Sequence, residues 1–199
     1  MGARQGLGAG SLASIHLSES KKKAKEKGWA LIFTDEASFR QDSTLHATWS
    51  RVGSPPEVPV TGDRKSVKIL GAIDVWDTRF QYRREPVFNA LTYLALLKQL
   101  ARRYRHRGAI LIQDGASYHK KAEVKVWCDA QRDWLEVHQL PPYSPEFNPT
   151  ERLWQYTRKN GTHNRYFATE EELVRTLTRV FKEMRSYPEL IRPSLLPFF

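Results

Sequence analysis

The feature that most constrains the fold is an apolar run, Ala109 to Ile112, that leads through Gln113 into Asp114 and Gly115. A continuous apolar run of this length is typical of a strand that is covered on both faces. In α/β sheets, ligands gather at the carboxyl ends of the strands, where Asp114 stands. A single aspartate before a glycine is more often a turn residue, so Asp114 alone does not define a site.

Two further segments place carboxylates in similar positions. Trp29 to Glu36 is a second apolar run, and Asp35 stands near its end. Leu140 to Trp154 leads from a strand through a proline-rich loop into a helix, where Glu151 falls in the first turn. The structural alternative for Glu151 is a capping box, in which its carboxylate reaches back to the Asn148 amide. That alternative does not account for the two aspartates at strand ends.

Three carboxylates from two strand ends and one helix start can converge on divalent cations. Asp35, Asp114 and Glu151 offer only oxygen ligands, which suit Mg²⁺ or Mn²⁺. Glu36 directly follows Asp35. If the strand continues through it, its side chain points to the opposite face, and strand alternation excludes Glu36 from the predicted ligands.

This ordered set of Asp35, Asp114 and Glu151 resembles the catalytic triad of DDE transposases, most closely of mariner-type elements and the related bacterial insertion sequences. The matching blocks are Thr34–Phe39, Gln113–His119, Leu140–Pro145 and Asn148–Glu151. The resemblance covers roughly residues 29 to 185. Gly115 departs from it, because many members carry Asn at that position.

The resemblance implies an α/β, ribonuclease H-like fold, in which a mixed sheet carries helices on both faces. It implies metal-dependent phosphodiester cleavage and strand transfer in cut-and-paste DNA transposition, with two Mg²⁺ or Mn²⁺ ions held by Asp35, Asp114 and Glu151. His119 and Asn148 are candidate neighbours that orient these ligands. The implied partners are double-stranded DNA, as transposon ends and target, and a second copy of the chain or a full-length transposase.

Two other functions stay open at this point. The first is a ribonuclease H-like metal nuclease that cleaves without strand transfer. The second is an inactive or truncated transposase remnant that regulates by binding DNA or the full-length enzyme.

The formal net charge of +10 over 199 residues indicates a polyanionic partner. Basic residues follow two of the predicted ligands, where they could contact DNA phosphates. These candidate DNA-binding residues are Lys120, Lys121, Lys125, Arg152, Arg158, Lys159 and Arg165. The single cysteine, Cys128, excludes an internal disulfide and a cysteine-based zinc cluster.

Composition predicts a flexible segment over residues 1–28, with a short basic helix from Leu17 to Gly28, before a catalytic domain over residues 29–199. Residues 1–28 are too few for the helix-turn-helix domain that usually precedes such a core, so we expect that domain to be absent. The sequence has no signal-peptide pattern and no apolar run of membrane-spanning length. These features predict a soluble, intracellular protein, and the resemblance to DDE transposases implies a bacterial protein that is cytoplasmic and nucleoid-associated.

Apolar periodicity and turn residues predict the remaining elements. Strands are expected at 46–52, 66–76, 78–83 and 134–140, and helices at 89–104, around 124–128, after Asn148 and from Thr169. Trp154 is expected to pack in the core.

Overall fold

The structure, a computed structural model, describes residues 9–42, 46, 53, 57–58, 65–141 and 145–199. Its strands are β1 (Ala30–Arg40), β2 (Ser66–Asp74), β3 (Arg79–Glu85), β4 (Ala109–Gln113) and β5 (Leu135–Gln139). Its α-helices are α1 (Ala9–Lys27), α2 (Ala90–Tyr104), α3 (Ala122–Asp129), α4 (Pro149–Thr157), α5 (Glu170–Ser186) and α6 (Arg192–Leu195). Single 3₁₀ turns span Ser117–Lys120, Pro145–Phe147, Pro188–Leu190 and Leu196–Phe198, and a π-turn, Arg158–Thr162, follows α4. The strand predicted at 46–52 lies, except for His46, outside the described residues.

The five strands form one mixed sheet in the order β3-β2-β1-β4-β5. β2 is antiparallel to both β1 and β3, whereas β1, β4 and β5 run parallel. All five residues of β4 are buried. Because β4 has a strand on each side and helices above and below, its unbroken apolar run is the pattern expected of a central strand.

Alternate residues of β1 enter two different cores. Leu31 and Phe33 belong to the core under α4, α5 and α6, whereas Ile32 belongs to the core under α2 and α3. The sheet therefore carries helices on both faces, as predicted. It also follows that the neighbours Asp35 and Glu36 face opposite sides of the sheet.

The N-terminal helix is longer than predicted, and α1 begins at Ala9 rather than at Leu17. Leu17, Ser20 and Ala24 are buried, and Leu17 and Ala24 belong to the core under α4, α5 and α6. Short apolar and small residues at helical spacing allow this close packing, which stabilises the helix around these three residues. None of the helices in the described part of the chain combines the length and apolarity that a membrane crossing requires.

β1 continues to Arg40, so Asp35 lies in the middle of this strand and the prediction that it stands at a strand end is wrong; the antiparallel ladder with β2 extends β1 beyond its apolar run. Other predicted boundaries shift by one or two residues. Asn89 caps α2 as expected, and its side chain accepts a hydrogen bond from the Thr92 amide at 2.9 Å. β2 ends at Asp74 rather than at Trp76. The chain turns there toward β3 through Thr78, whose φ of 50° lies in the left-handed region.

Candidate active site

Asp35 lies on the face of the sheet that α4 covers. The Trp154 Nε1–H donates a hydrogen bond to Asp35 Oδ2 at 3.1 Å. The Thr150 hydroxyl lies 3.3 Å from the same oxygen and also contacts Asn148 Oδ1. Its single proton can serve only one of these two acceptors at a time. The indole is therefore the constant donor to Asp35.

The local sequence explains why Trp154 reaches Asp35. Asn148 caps α4 and Pro149 occupies its first turn, so that Thr150 and Trp154, four residues apart, share one face of the helix. Gly71 of β2 pairs with Asp35 in the sheet register. A Cβ at Gly71 would lie only 2.4 Å from Trp154 Cη2. The missing side chain is therefore what lets the indole lie against the sheet beside Asp35.

The electrostatics of Asp35 are unusual for an aspartate. Burial is the largest cause and, with the negative charge of Glu151 next, raises the pKa of Asp35 to about 7. Within the described residues, no lysine, arginine or histidine forms an ion pair with Asp35 or Glu151. Two neighbouring carboxylates without a basic partner cost free energy when both are ionised, and a bound cation would remove that cost.

The capping-box alternative for Glu151 is not observed in the described part of the chain. Asn148 caps α4 instead through its own side chain, which accepts a hydrogen bond from the Thr150 amide at 3.2 Å. The Glu151 amide bonds the Asn148 carbonyl at 3.2 Å, and no hydrogen bond joins the Glu151 carboxylate to the Asn148 amide. The carboxylate of Glu151 is partly exposed and is available for another role.

Asp114 has a different environment from Asp35. It directly follows β4, and its Oδ1 accepts a hydrogen bond from the Ala116 amide at 3.0 Å. The same oxygen lies 3.1 Å from Nδ1 of the buried His119. The contact with His119 is the largest cause that holds the pKa of Asp114 below its usual value. Asp114 therefore has an imidazole partner, whereas the side-chain donors to Asp35 are an indole and a hydroxyl.

The placement of Glu36 corrects one sequence-based inference. Strand alternation predicts its face correctly, but that face is also where the side chain of Asp114 lies. Ligand atoms of Glu36, Asp114 and His119 all lie within 4.8 Å of one another. Asp114 stands beyond the end of β4, and its bond to the Ala116 amide turns the side chain away from the strand pattern. Glu36 must therefore be counted among the candidate ligands.

The structure thus brings the predicted site residues together in two groups. Asp35 and Glu151 interact on the α4 side, and Asp114 and His119 interact on the side of Glu36. Asp35 and Asp114 occupy matching positions on neighbouring parallel strands, each two residues beyond the Phe33–Ile112 pair. Because β1 and β4 are neighbours in this register, the two groups belong to adjacent parts of the sheet. Most of their donor atoms are carboxylate oxygens, which suit hard divalent cations such as Mg²⁺ or Mn²⁺.

A family model described as DDE superfamily endonuclease matches residues 30–174, a range that contains Asp35, Asp114 and Glu151. The chain belongs to this family. The match extends from the start of β1 into α5, so it includes every strand of the sheet.

Two curated relatives of this DDE endonuclease chain are bacterial. The insertion element IS630 uncharacterized 39 kDa protein of Shigella sonnei is 24% identical over 178 residues, which are 89% of this chain and 51% of that protein. The uncharacterized protein y4pE/y4sA of Sinorhizobium fredii is 39% identical over 66 residues, 33% of this chain and 45% of that protein. The chain spans about half the length of the curated relatives that it matches.

Solved structures of the Mos1 transposase share the fold. A pre-cleavage Mos1 transpososome matches with a TM-score of 0.69 and 18% identity, covering 100% of this chain and 64% of that chain. The catalytic domain of Mos1 mariner transposase matches with a TM-score of 0.62 and 17% identity, covering 94% of this chain and 84% of that chain. The ribonuclease H-like fold predicted for this DDE family member is therefore confirmed.

The candidate DNA-binding residues of this DDE domain are accessible to solvent. Lys120, Lys121, Lys125 and Lys159 are exposed. The three arginines lie over aromatic rings: Arg152 over Phe198 at 5.5 Å, Arg158 over Phe39 at 5.7 Å, and Arg165 over Phe167 at 5.5 Å. Such stacking leaves the edges of a guanidinium free to bond a phosphate.

Proposed function

We propose that this chain is the catalytic core of a DNA transposase. It hydrolyses a phosphodiester bond to free a DNA 3′-hydroxyl, and this hydroxyl then attacks a phosphodiester of the target DNA, which joins the two strands and releases a target 3′-hydroxyl. The observation that carries the proposal is the pair of neighbouring carboxylates of Asp35 and Glu151. Asp35 is largely buried, and neither carboxylate has a basic partner in the described part of the chain. Membership of the DDE endonuclease family supports it. So do the printed descriptions of similar proteins, namely an insertion-element protein and a Mos1 strand transfer complex.

The residues proposed to hold divalent ions are Asp35, Asp114 and Glu151, with two Mg²⁺ or Mn²⁺ ions per site. Mos1 paired-end complexes with Mn and with Mg are similar in fold and support the choice of metal. When bound, such ions stabilise the attacking and leaving oxygens of a phosphodiester. Trp154 holds one oxygen of Asp35, and His119 holds one oxygen of Asp114.

The proposed partner is double-stranded DNA, both as transposon end and as target, contacted through phosphates. The contacts are assigned to Lys120, Lys121, Lys125, Arg152, Arg158, Lys159 and Arg165. Phosphate contacts of this kind fix position rather than sequence. The chain is further proposed to act together with a second copy or a longer transposase chain, at the bacterial nucleoid, since the reaction needs access to chromosomal DNA.

A nicking and strand-transfer assay tests this function. Labelled duplexes that carry the terminal repeats of the cognate element are incubated with the protein, Mg²⁺ or Mn²⁺, and a supercoiled target. We expect metal-dependent cleavage followed by joined products, both lost in Asp35→Asn. Cleavage without joining would favour a metal nuclease, and DNA binding without cleavage in either metal would favour a regulatory remnant. Either result would overturn the proposal.

A further inference from the structure

A second candidate site lies along β3, the edge strand of the sheet. A groove of about 710 Å³ runs between β3, the C-terminal part of α2 and the second half of α5. None of the carboxylates assigned to catalysis lines it. Tyr82 in its wall pairs with Gly71, which in turn pairs with Asp35, so the groove and Asp35 are two strands apart. At strand spacings of about 4.8 Å, this separation is roughly 10 Å across the sheet.

The groove carries a concentration of positive charge. Arg79 of β3, Arg103 of α2, and Lys182 and Arg185 of α5 line it, and all four side chains are exposed. Within the described residues, none of these cations is in an ion pair with a carboxylate. One acidic residue, Asp77, lies in the lining, and its Oδ2 is 2.7 Å from Arg107 Nη1. The groove therefore has an excess of unneutralised cations.

An independent feature of the groove is the buried hydroxyl of Thr78. Its residue is only 2% exposed, and its Oγ1 has no hydrogen-bond partner among the described residues. Burying a hydroxyl without a partner costs free energy, and native proteins rarely leave such a group unsatisfied. Thr78 also holds a left-handed backbone conformation that disfavours β-branched residues. A ligand oxygen in the groove would satisfy the hydroxyl.

We propose that this groove binds backbone phosphates of DNA that extends beyond the catalytic carboxylates. The identity of the ligand rests on the proposed function, whereas the groove itself does not. Three of its four cations are arginines, whose planar forks match phosphate oxygens, and the Thr78 hydroxyl can donate a further hydrogen bond. A DNA strand advances about 3.4 Å per nucleotide. A duplex of about 8 base pairs, roughly 27 Å long, therefore reaches both the catalytic site and the groove in only some of its possible positions, whereas a duplex of about 30 base pairs reaches both in most of them.

The test compares two duplex lengths in a triple variant, Arg103→Gln/Lys182→Gln/Arg185→Gln. Its control, Lys25→Gln/Lys98→Gln/Arg175→Gln, removes the same formal charge from exposed positions outside the groove. Fluorescence anisotropy in EDTA gives the affinities for duplexes of about 8 and about 30 base pairs over a series of salt concentrations. Both variants are also compared by thermal unfolding.

We expect the groove variant to bind the longer duplex at least about tenfold more weakly, with its salt slope reduced by about 2 to 3, since each lost phosphate contact contributes about 0.9. The shorter duplex should lose less affinity, because it contacts the groove in only some of its possible positions. Thr78→Val should weaken binding of the longer duplex without loss of thermal stability, because the hydroxyl has no partner in the described part of the free protein.

Three results would overturn the proposal: equal weakening in the control variant, unchanged binding of the longer duplex, or a poly-glutamate peptide that competes for the groove better than DNA does. The last would indicate an acidic protein partner. Failure of the proposed function has a separate signature. The unaltered chain would then fail to nick DNA with metal present, while binding in EDTA would be unaffected. If the function holds, the groove variant should still nick DNA at the normal rate once the protein saturates the duplex, because none of the catalytic carboxylates lines the groove.

Discussion

Asp35, within β1, and Asp114, directly after β4, stand two residues beyond the same strand pair, yet their surroundings differ. Asp35 receives hydrogen bonds from uncharged donors and stands near Glu151, and burial raises its pKa to about 7. Asp114 contacts His119 and a backbone amide, and its pKa is lowered. The difference in pKa arises from the element that covers each carboxylate. Helix α4 covers Asp35, and the turn that carries His119 covers Asp114. Strand position alone does not decide the chemistry of a carboxylate.

The different surroundings of Asp35 and Asp114 should affect how each binds a metal ion. On the side of Asp35 and Glu151, a divalent cation would neutralise a repulsive pair, so its binding should stabilise the fold. On the side of Asp114, a cation competes with the contact to His119, which already favours the ionised carboxylate. We therefore expect the two sides to contribute unequally to cation affinity, and the following variants test this difference.

The largest effect is expected from removing the carboxylates themselves. Asp35→Asn, Asp114→Asn and Glu151→Gln should each lower metal-dependent cleavage by at least about a thousandfold, and the triple variant should be little worse, because the three residues act as one unit. Single-turnover cleavage of a labelled duplex measures this, with circular dichroism to check the fold. Glu123→Gln, an exposed carboxylate on α3, is the matched control. Full activity in any of the three variants would remove that residue from the site.

A smaller loss is expected from Trp154→Phe, which removes the indole donor and keeps an aromatic ring. Neighbours that orient metal ligands contribute about 10- to 100-fold to metal affinity or activity. We expect a shift of this size in the Mg²⁺ concentration needed for half-maximal cleavage. Trp134→Phe is the control, because its Nε1 donates at 3.0 Å to Gln131, away from the carboxylates. If both variants shift the Mg²⁺ dependence equally, the bond to Asp35 has no special role.

Local pattern predicts much of the architecture on which these variants depend. The buried runs of β1 and β4, the cap of α2 at Asn89, and the start of α4 after Asn148 all follow from apolar periodicity and capping chemistry. These features are local, because they depend on residues within one or two helical turns of each other. The same local patterns predict the two aspartates and Glu151 as candidate ligands.

The remaining features depend on contacts between residues far apart in the chain. Trp154 packs in the core as expected, but its bond to Asp35 needs the space left by Gly71 on another strand. The contact of Glu36 with Asp114 depends on a turn that redirects a side chain beyond the end of β4. The burial of Leu17, Ser20 and Ala24 of α1 likewise depends on distant parts of the chain. No local pattern carries this information.

Glu36→Gln tests whether Glu36 is a metal ligand or a neighbour of one. Burial raises the pKa of Glu36 most, and the charge of Asp114 raises it further. If Glu36 only influences the charge of Asp114, Glu36→Gln should lower the cleavage rate by less than about tenfold. This loss is smaller than the roughly 10- to 100-fold loss typical of residues that orient metal ligands. Single-turnover rates over a Mg²⁺ series measure this. A loss near a thousandfold, matching Asp114→Asn, would make Glu36 a ligand.

The smallest effect, on the order of a few degrees in Tm, is expected in the pH dependence of stability without metal. Folding raises the pKa of Asp35 from 3.8 to about 7, so its contribution to stability is present below pH 3.8 and is lost as the pH rises through about 7. Folding lowers the pKa of Asp114, so its contribution is present above pH 3.8 and is lost as the pH falls through its lowered pKa.

Thermal unfolding in EDTA should therefore show that Asp35→Asn raises Tm at pH 7.5 but not at pH 4, whereas Asp114→Asn lowers Tm at pH 7.5. Mg²⁺ should reduce the benefit of Asp35→Asn, since a cation stabilises the ionised pair that the substitution removes. If both substitutions changed Tm in the same direction at pH 7.5, the electrostatic contrast between the two carboxylates would be wrong.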